Sequence, residues 1–123
     1  MTSSDKLKKI RALFAAYRCG DRGAVEAAFT DDFRFTSPFD DEIDKSTYFA
    51  RCWRDAGEWL EQQDLERIFV EGDGAFVTYK CLTKDGKSFR NTEFFVFEGE
   101  KIRHIEVYFG ASYQDGVFVP QAS

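Results

Sequence analysis

The chain opens on a helical period. Leu7, Ile10, Phe14 and Tyr17 recur at steps of three and four, and Leu13 joins their face, the spacing that lines one side of an α-helix. Ser4 is placed to cap such a helix and Gly20 to stop it, so the pattern predicts a helix over 5–19. Asp21 can cap a second, over 22–29, which packs Val25 and Phe29. At Asp31 the period changes to two. Phe33, Phe35, Ser37 and Phe39 alternate with Asp32, Arg34, Thr36 and Pro38, which predicts a strand with one apolar face that ends near Pro38. Asp44 can cap a third helix to about 58, with Tyr48, Phe49, Cys52, Trp53 and Ala56 turned inward. Strands over 63–71, 75–83, 89–97 and 102–109 follow, joined at Gly72-Asp73-Gly74, Asp85-Gly86 and Gly99-Glu100.

Helices segregated from hairpin-linked strands predict an α+β domain with an antiparallel sheet. The length of 123 residues fits one domain over 1–123, with its core at about 5–110. Residues 111–123 read as a loose tail in which only Val117, Phe118 and Val119 have much to bury. A sheet this long in so small a domain must coil strongly, and helices can close its concave side.

Composition changes that picture in one respect. Fourteen Phe, five Tyr and two Trp make the chain 17% aromatic, so flat side chains must fill the core or line a cavity. The formal charge of −5 argues against nucleic acid or an anionic membrane as partner. The cluster Lys6, Lys8, Lys9 and Arg11 reads as a solvated helix face. A polar N-terminus predicts no signal peptide and no membrane span. Cys19, Cys52 and Cys81 are odd in number and far apart, with neither a CxxC pair nor a metal-ligand spacing. They read as buried free thiols in a reducing cytoplasm. The consecutive acids Asp40, Asp41 and Glu42 do not converge on an ion by themselves, so no metal is expected. Gly72-Asp73-Gly74 and Gly99 open no helix and read as turns, not as a phosphate loop.

Particular residues add a resemblance. The first helix ends in Cys19-Gly20-Asp21, and Thr30-Asp31-Asp32-Phe33 leads into the first strand, which carries Phe35-Thr36-Ser37-Pro38. Arg90-Asn91-Thr92-Glu93-Phe94-Phe95 and Ile105-Glu106-Val107-Tyr108-Phe109-Gly110 come near the end. Over roughly 5–110 this resembles the nuclear transport factor 2-like superfamily, and within it the SnoaL-like group. The resemblance implies a cone-shaped barrel of strongly curved antiparallel sheet packed against three N-terminal helices. It also implies a deep pocket between sheet and helices, and a homodimer through the outer sheet face. Members include enzymes on hydrophobic ring compounds and proteins that only bind, so the fold does not decide the function.

Ketosteroid isomerase is the informative comparison within that superfamily. Its chemistry uses a carboxylate base, a Tyr and a protonated carboxylic acid. By resemblance the base position falls on Ser37, the Tyr position on Leu13 with Tyr17 one turn later, and the acid position on Glu93. An unactivated Ser cannot take a carbon-bound proton near neutral pH, so ketosteroid isomerase activity is rejected and Glu93 is kept as the one candidate proton carrier. A two-residue turn at Gly99-Glu100 would set Glu93 opposite Glu106, whereas a three-residue loop sets it opposite Val107, and the resemblance favours the second. Tyr17, Ser37 and Asn91 are candidate ligand-orienting groups. Phe35, Trp53, Phe95 and Phe109 are candidate ligand contacts, with Phe33, Phe39, Phe97 and Ile105 completing the expected wall. His104 alternates away from Ile105 and Val107 and reads as a structural or interface histidine. Two functions stay open. One is binding of a small hydrophobic or aromatic molecule with cofactor-free isomerase, dehydratase or cyclase chemistry; the other is a non-catalytic binding or protein-interaction module.

Overall fold

The computed structural model describes residues 1–120. Helix α1 spans Ser3–Arg18 and α2 spans Arg22–Ala28. Thr2, not Ser4, caps α1. The Thr2 hydroxyl accepts from the Asp5 N–H at 3.1 Å while the Asp5 carboxylate accepts from the Thr2 N–H at 3.0 Å. Ser4 could not make this reciprocal pair, because the residue three positions on is Leu7. Lys6 leaves the expected solvated face. Its ammonium donates to the Gly72 carbonyl at 2.5 Å, so α1 is tied to the turn at the far end of the sheet.

The strands are β1 (Phe29–Thr36), β2 (Ile43–Asp44), β3 (Leu60–Glu71), β4 (Gly74–Thr83), β5 (Lys87–Glu98), β6 (Lys101–Gln114) and β7 (Val117–Val119). They form one sheet in the order β2-β1-β6-β5-β4-β3, with β7 on β6. The sheet is mixed, not wholly antiparallel, because β1 lies parallel to β6. Turn chemistry fixes the direction of strands joined by tight hairpins. It says nothing about β1, whose neighbour arrives only after a long crossover. The sheet curls but does not close into a barrel: β2 and β3 remain at its two edges. Register shifts at Leu60/Gln62, Leu65/Arg67, Phe89/Asn91 and Val96/Phe97 supply the bend.

The expected third helix is divided into α3 (Lys45–Arg51) and α4 (Ala56–Trp59). Asp55 restarts the chain as a new cap, accepting from the Gly57 N–H at 2.9 Å. Gly57 is needed there for another reason: a Cβ would sit 2.3 Å from the Arg18 carbonyl oxygen. The tail expected to be loose is ordered through Val119. Strand β6 continues to Gln114, and β7 pairs Val117 to Val119 with Gln114 to Ser112 across a turn at Asp115-Gly116, both at positive φ. The end of that expected tail, 121–123, lies outside the described residues.

Phe29, Phe33, Phe95, Ile10, Ile102, Ile105, Val25 and Val77 are fully buried between helices and concave sheet. Phe29 and Phe33 stack with centroids 4.0 Å apart, and Tyr48 packs edge-on to both. Of the thiols, Cys81 is buried, Cys52 half-buried and Cys19 exposed. No helix among the described residues is long and apolar enough to cross a membrane.

Candidate active site

The curl of the sheet leaves a cavity of about 230 Å³ between β4, β5, β6 and the helices. Alternation decides which groups enter it. On β5, Phe89, Asn91 and Glu93 share the concave face, and on β4 so do Tyr79 and Cys81. The β5–β6 hairpin places Glu93 opposite Val107. That is the three-residue-loop register. It comes about because a register shift between Val96 and Phe97 passes over Arg103.

Glu93 carries the only carboxyl group among the described residues that line the cavity. Tyr79 donates its hydroxyl hydrogen to Glu93 Oε2 at 2.6 Å, Asn91 Nδ2 donates to the Tyr79 oxygen at 3.2 Å, and the Gly110 N–H donates to Asn91 Oδ1 at 3.3 Å. The chain of donors therefore runs from the backbone of β6 to the carboxyl. Burial pushes the Glu93 carboxyl up to about 7, against a downward pull from the Tyr79 hydrogen bond. Its other oxygen, Oε1, has no hydrogen-bond partner among the described residues. Burial also raises Tyr79, with the nearby Glu93 charge adding to it, so this phenol stays a donor.

A second polar pair faces the same cavity. The Tyr17 and Tyr48 hydroxyls are 2.5 Å apart. One donates to the other, which leaves one hydroxyl hydrogen without a protein acceptor among the described residues. Both phenols are raised, first by burial. Leu13, Phe14, Phe35, Phe89, Ile105 and Val107 supply the apolar wall. A small number of polar groups in an apolar cavity is the pattern of a small-molecule site.

Of the residues expected at the site, Glu93, Tyr17, Asn91, Phe35 and Phe109 line this cavity, as does Ile105. Ser37, Trp53 and Phe95 do not. Ser37 lies past the end of β1 in a tight turn closed by the Ser37 N–H on the Asp40 carbonyl at 2.7 Å, and its hydroxyl accepts from the Phe39 N–H. Trp53 lies behind Tyr17, with centroids 5.5 Å apart, and beside Phe49. Phe95 shares the face of Glu93 but is sealed under Phe14 in the narrow end, with no exposed surface. Phe33 and Phe97 are core, and Phe39 packs on the outside of Phe109 at 5.5 Å. His104 Nε2 lies 3.2 Å from Glu106 Oε1, out of line for a hydrogen bond and away from the cavity.

Sequence reasoning missed Tyr79, and also Tyr48, Trp59, Phe89 and Arg54 as parts of the wall. Tyr79 sits in the run Ala75, Val77, Tyr79, Cys81, which reads as core. The signal that finds it is cross-strand: it pairs with Asn91, two positions before Glu93. Tyr48 lies in the core, as its helical position predicts, but only its contact with Tyr17 turns its hydroxyl into part of the site.

No curated protein matches this chain in sequence. Among solved structures it is similar to an NTF2-like protein of unknown function from Burkholderia xenovorans LB400, at 18% identity over 98% of this chain and 97% of that one, with a TM-score of 0.70. An LEH-like epoxide hydrolase from M. tuberculosis is similar at 18% identity over 86% and 83%, with a TM-score of 0.67. A putative ketosteroid isomerase from Kribbella flavida DSM 17836 is similar at 16% identity over 94% and 84%, with a TM-score of 0.63. At these identities the likeness is one of fold. Residues 10–105 match the SnoaL-like domain. With that match covering most of its length and the curled α+β cone around the Glu93 cavity, this chain belongs to the SnoaL-like domain family.

Proposed function

We propose that this protein binds a small hydrophobic or aromatic molecule in the cavity and performs cofactor-free acid–base chemistry on it, with Glu93 as the proton carrier. One observation carries this reading: a single carboxyl, raised to about 7 by burial, held at 2.6 Å by Tyr79 inside an otherwise apolar cavity. A group with that pKa holds its proton part of the time at neutral pH, so it can both give and accept one. The free hydroxyl hydrogen of the Tyr17–Tyr48 pair is a donor suited to a ligand carbonyl or developing oxyanion. A cavity of about 230 Å³ exceeds the roughly 150 Å³ void that takes up benzene in a protein core. Isomerisation, dehydration and cyclisation all need a proton moved and no redox partner, and they suit this set. Two proteins of similar fold, an LEH-like epoxide hydrolase and a putative ketosteroid isomerase, carry enzyme names, in keeping with chemistry in such a cavity.

Native mass spectrometry after incubation with a panel of one- and two-ring ketones and alcohols tests the binding. Retention that is lost on filling the cavity with Val107→Phe is expected. If no ring compound is retained, or if Val107→Phe retains it equally, the cavity is not the binding site. The interaction-module reading would then gain from the outer face, where Phe69, Phe76 and Tyr108 are 69%, 50% and 55% exposed.

We extend the proposal to assembly and location. Phe69, Phe76 and Phe94 form a cross-strand row on the convex side, the kind of apolar patch that a second copy covers. A cytoplasmic location suits three unpaired thiols.

A further inference from the structure

The cavity has a second pole. Its wall includes Arg54, the only cationic side chain among the described residues that line it. Arg54 lies in the irregular link between α3 and α4, with its guanidinium carbon 4.6 Å from the centroid of the Trp59 ring. It makes no ion pair and no side-chain hydrogen bond among the described residues. The adjacent acid Asp55 is engaged elsewhere, capping α4 through Gly57 and packing against Gly20. Trp59 also lines the cavity, and its indole Nε1–H is buried with no acceptor among the described residues. The Gln63 amide is on the same wall, with only a long contact from its Nε2 to the Cys81 sulfur at 3.7 Å.

These groups are well separated from Glu93. Trp59 stacks parallel on Phe89, with centroids 5.8 Å apart, and Gln63, Cys81 and Phe89 form one rung across β3, β4 and β5. Phe89 is four residues from Glu93 along β5, about 13 Å at the rise of a strand. In agreement, no cation contributes to the shift of Glu93. Another positive charge acts on the same rung: the Cys81 thiol is raised to about 11, first by burial, and Arg18 pulls it down against the Glu93 and Asp64 charges. In a protein of net charge −5, an unpaired guanidinium on the wall of an apolar cavity is a local site for an anion.

We infer that the ligand is an elongated aromatic carboxylic acid, its carboxylate held by Arg54 and its ring extending along the Phe89 wall toward Glu93. A guanidinium can pair in a fork with a planar carboxylate, and the tyrosine–Glu93 end meets the uncharged reacting part. This rests on the reading of the cavity as a binding site. It goes further by naming the substrate class and the group that recognises it.

Calorimetric titration with 2-naphthoate and its neutral analogue 2-naphthamide separates the two claims. At about pH 6 the probe acid is ionised, while Glu93, with a pKa of about 7, is mostly neutral and does not repel it. The carboxylate should bind about tenfold more tightly than the amide, and Arg54→Gln should abolish most of that preference. Equal affinities in the wild type, or a preference that survives Arg54→Gln, overturns the carboxylate inference and leaves cavity binding standing. Failure of both probes to bind overturns both.

Discussion

Glu93 is the residue on which the chemistry turns, and its proton is also a stability term. Its carboxyl titrates near 4.5 when unperturbed and is raised to about 7 in the fold by burial. The folded protein therefore holds this proton more tightly than the unfolded chain does. The stability it contributes is fully present below about pH 4.5 and is lost as pH rises through about 7. The whole effect is at most on the order of 3 kcal/mol. Melting temperature measured across this window should fall with pH in the wild type, and Glu93→Gln should remove that component. An equal slope in Glu93→Gln would mean that another group is responsible. How far Glu93 was legible follows from period two. The alternation of β5 offered only two faces, and the register with Val107 chose between them. Tyr79 was not legible, because a tyrosine in an apolar alternation looks like core until the strand opposite is known to carry Asn91.

At the scale of elements, the site depends on a close approach of two backbones. Gly110 sits where β6 slips against β5, between the pairs Phe89↔Ser112 and Asn91↔Phe109. A Cβ there would lie 2.1 Å from the Arg90 carbonyl oxygen, and the Gly110 N–H holds Asn91. Gly110→Ala should therefore cost about 1–3 kcal/mol by forcing the strands apart, read as a lower denaturation midpoint, and should loosen the donor chain to Glu93. A variant of unchanged stability would contradict this account of the bulge. Hairpin-linked strands were readable because Gly72, Asp85-Gly86 and Gly99 mark their turns. The split of the third helix was not, since a heptad-like run of Tyr48, Phe49, Cys52 and Ala56 conceals the new cap at Asp55. Likewise β7 was hidden: three residues, Val117 to Val119, are too few for a period to be recognised.

At the scale of the molecule, two surfaces divide the roles. The concave side encloses the cavity, and the convex side exposes the aromatic row. If the row is a dimer face, sedimentation velocity should give a dimer, and Phe76→Glu, which sets a charge beside Phe69 and Phe94, should give a monomer that keeps its fold. A wild-type monomer at high concentration would contradict the proposed assembly without touching the cavity. The parallel placement of β1 beside β6 was beyond sequence reasoning, because a crossover from Thr36 to Lys101 carries no local signal of direction. It matters to function, since it brings Phe35 of β1 next to Ile105 of β6 and closes the cavity wall.

The central claim is that the cone holds one proton-carrying carboxyl. Carbon-13 NMR of selectively labelled glutamate side chains, titrated across the neutral range and assigned to Glu93 by its loss in Glu93→Gln, measures this directly. A midpoint at about 7 is the predicted result. A midpoint near the ordinary 4.5 would mean that Glu93 is ionised and solvated, and the acid–base reading of this cavity would not stand.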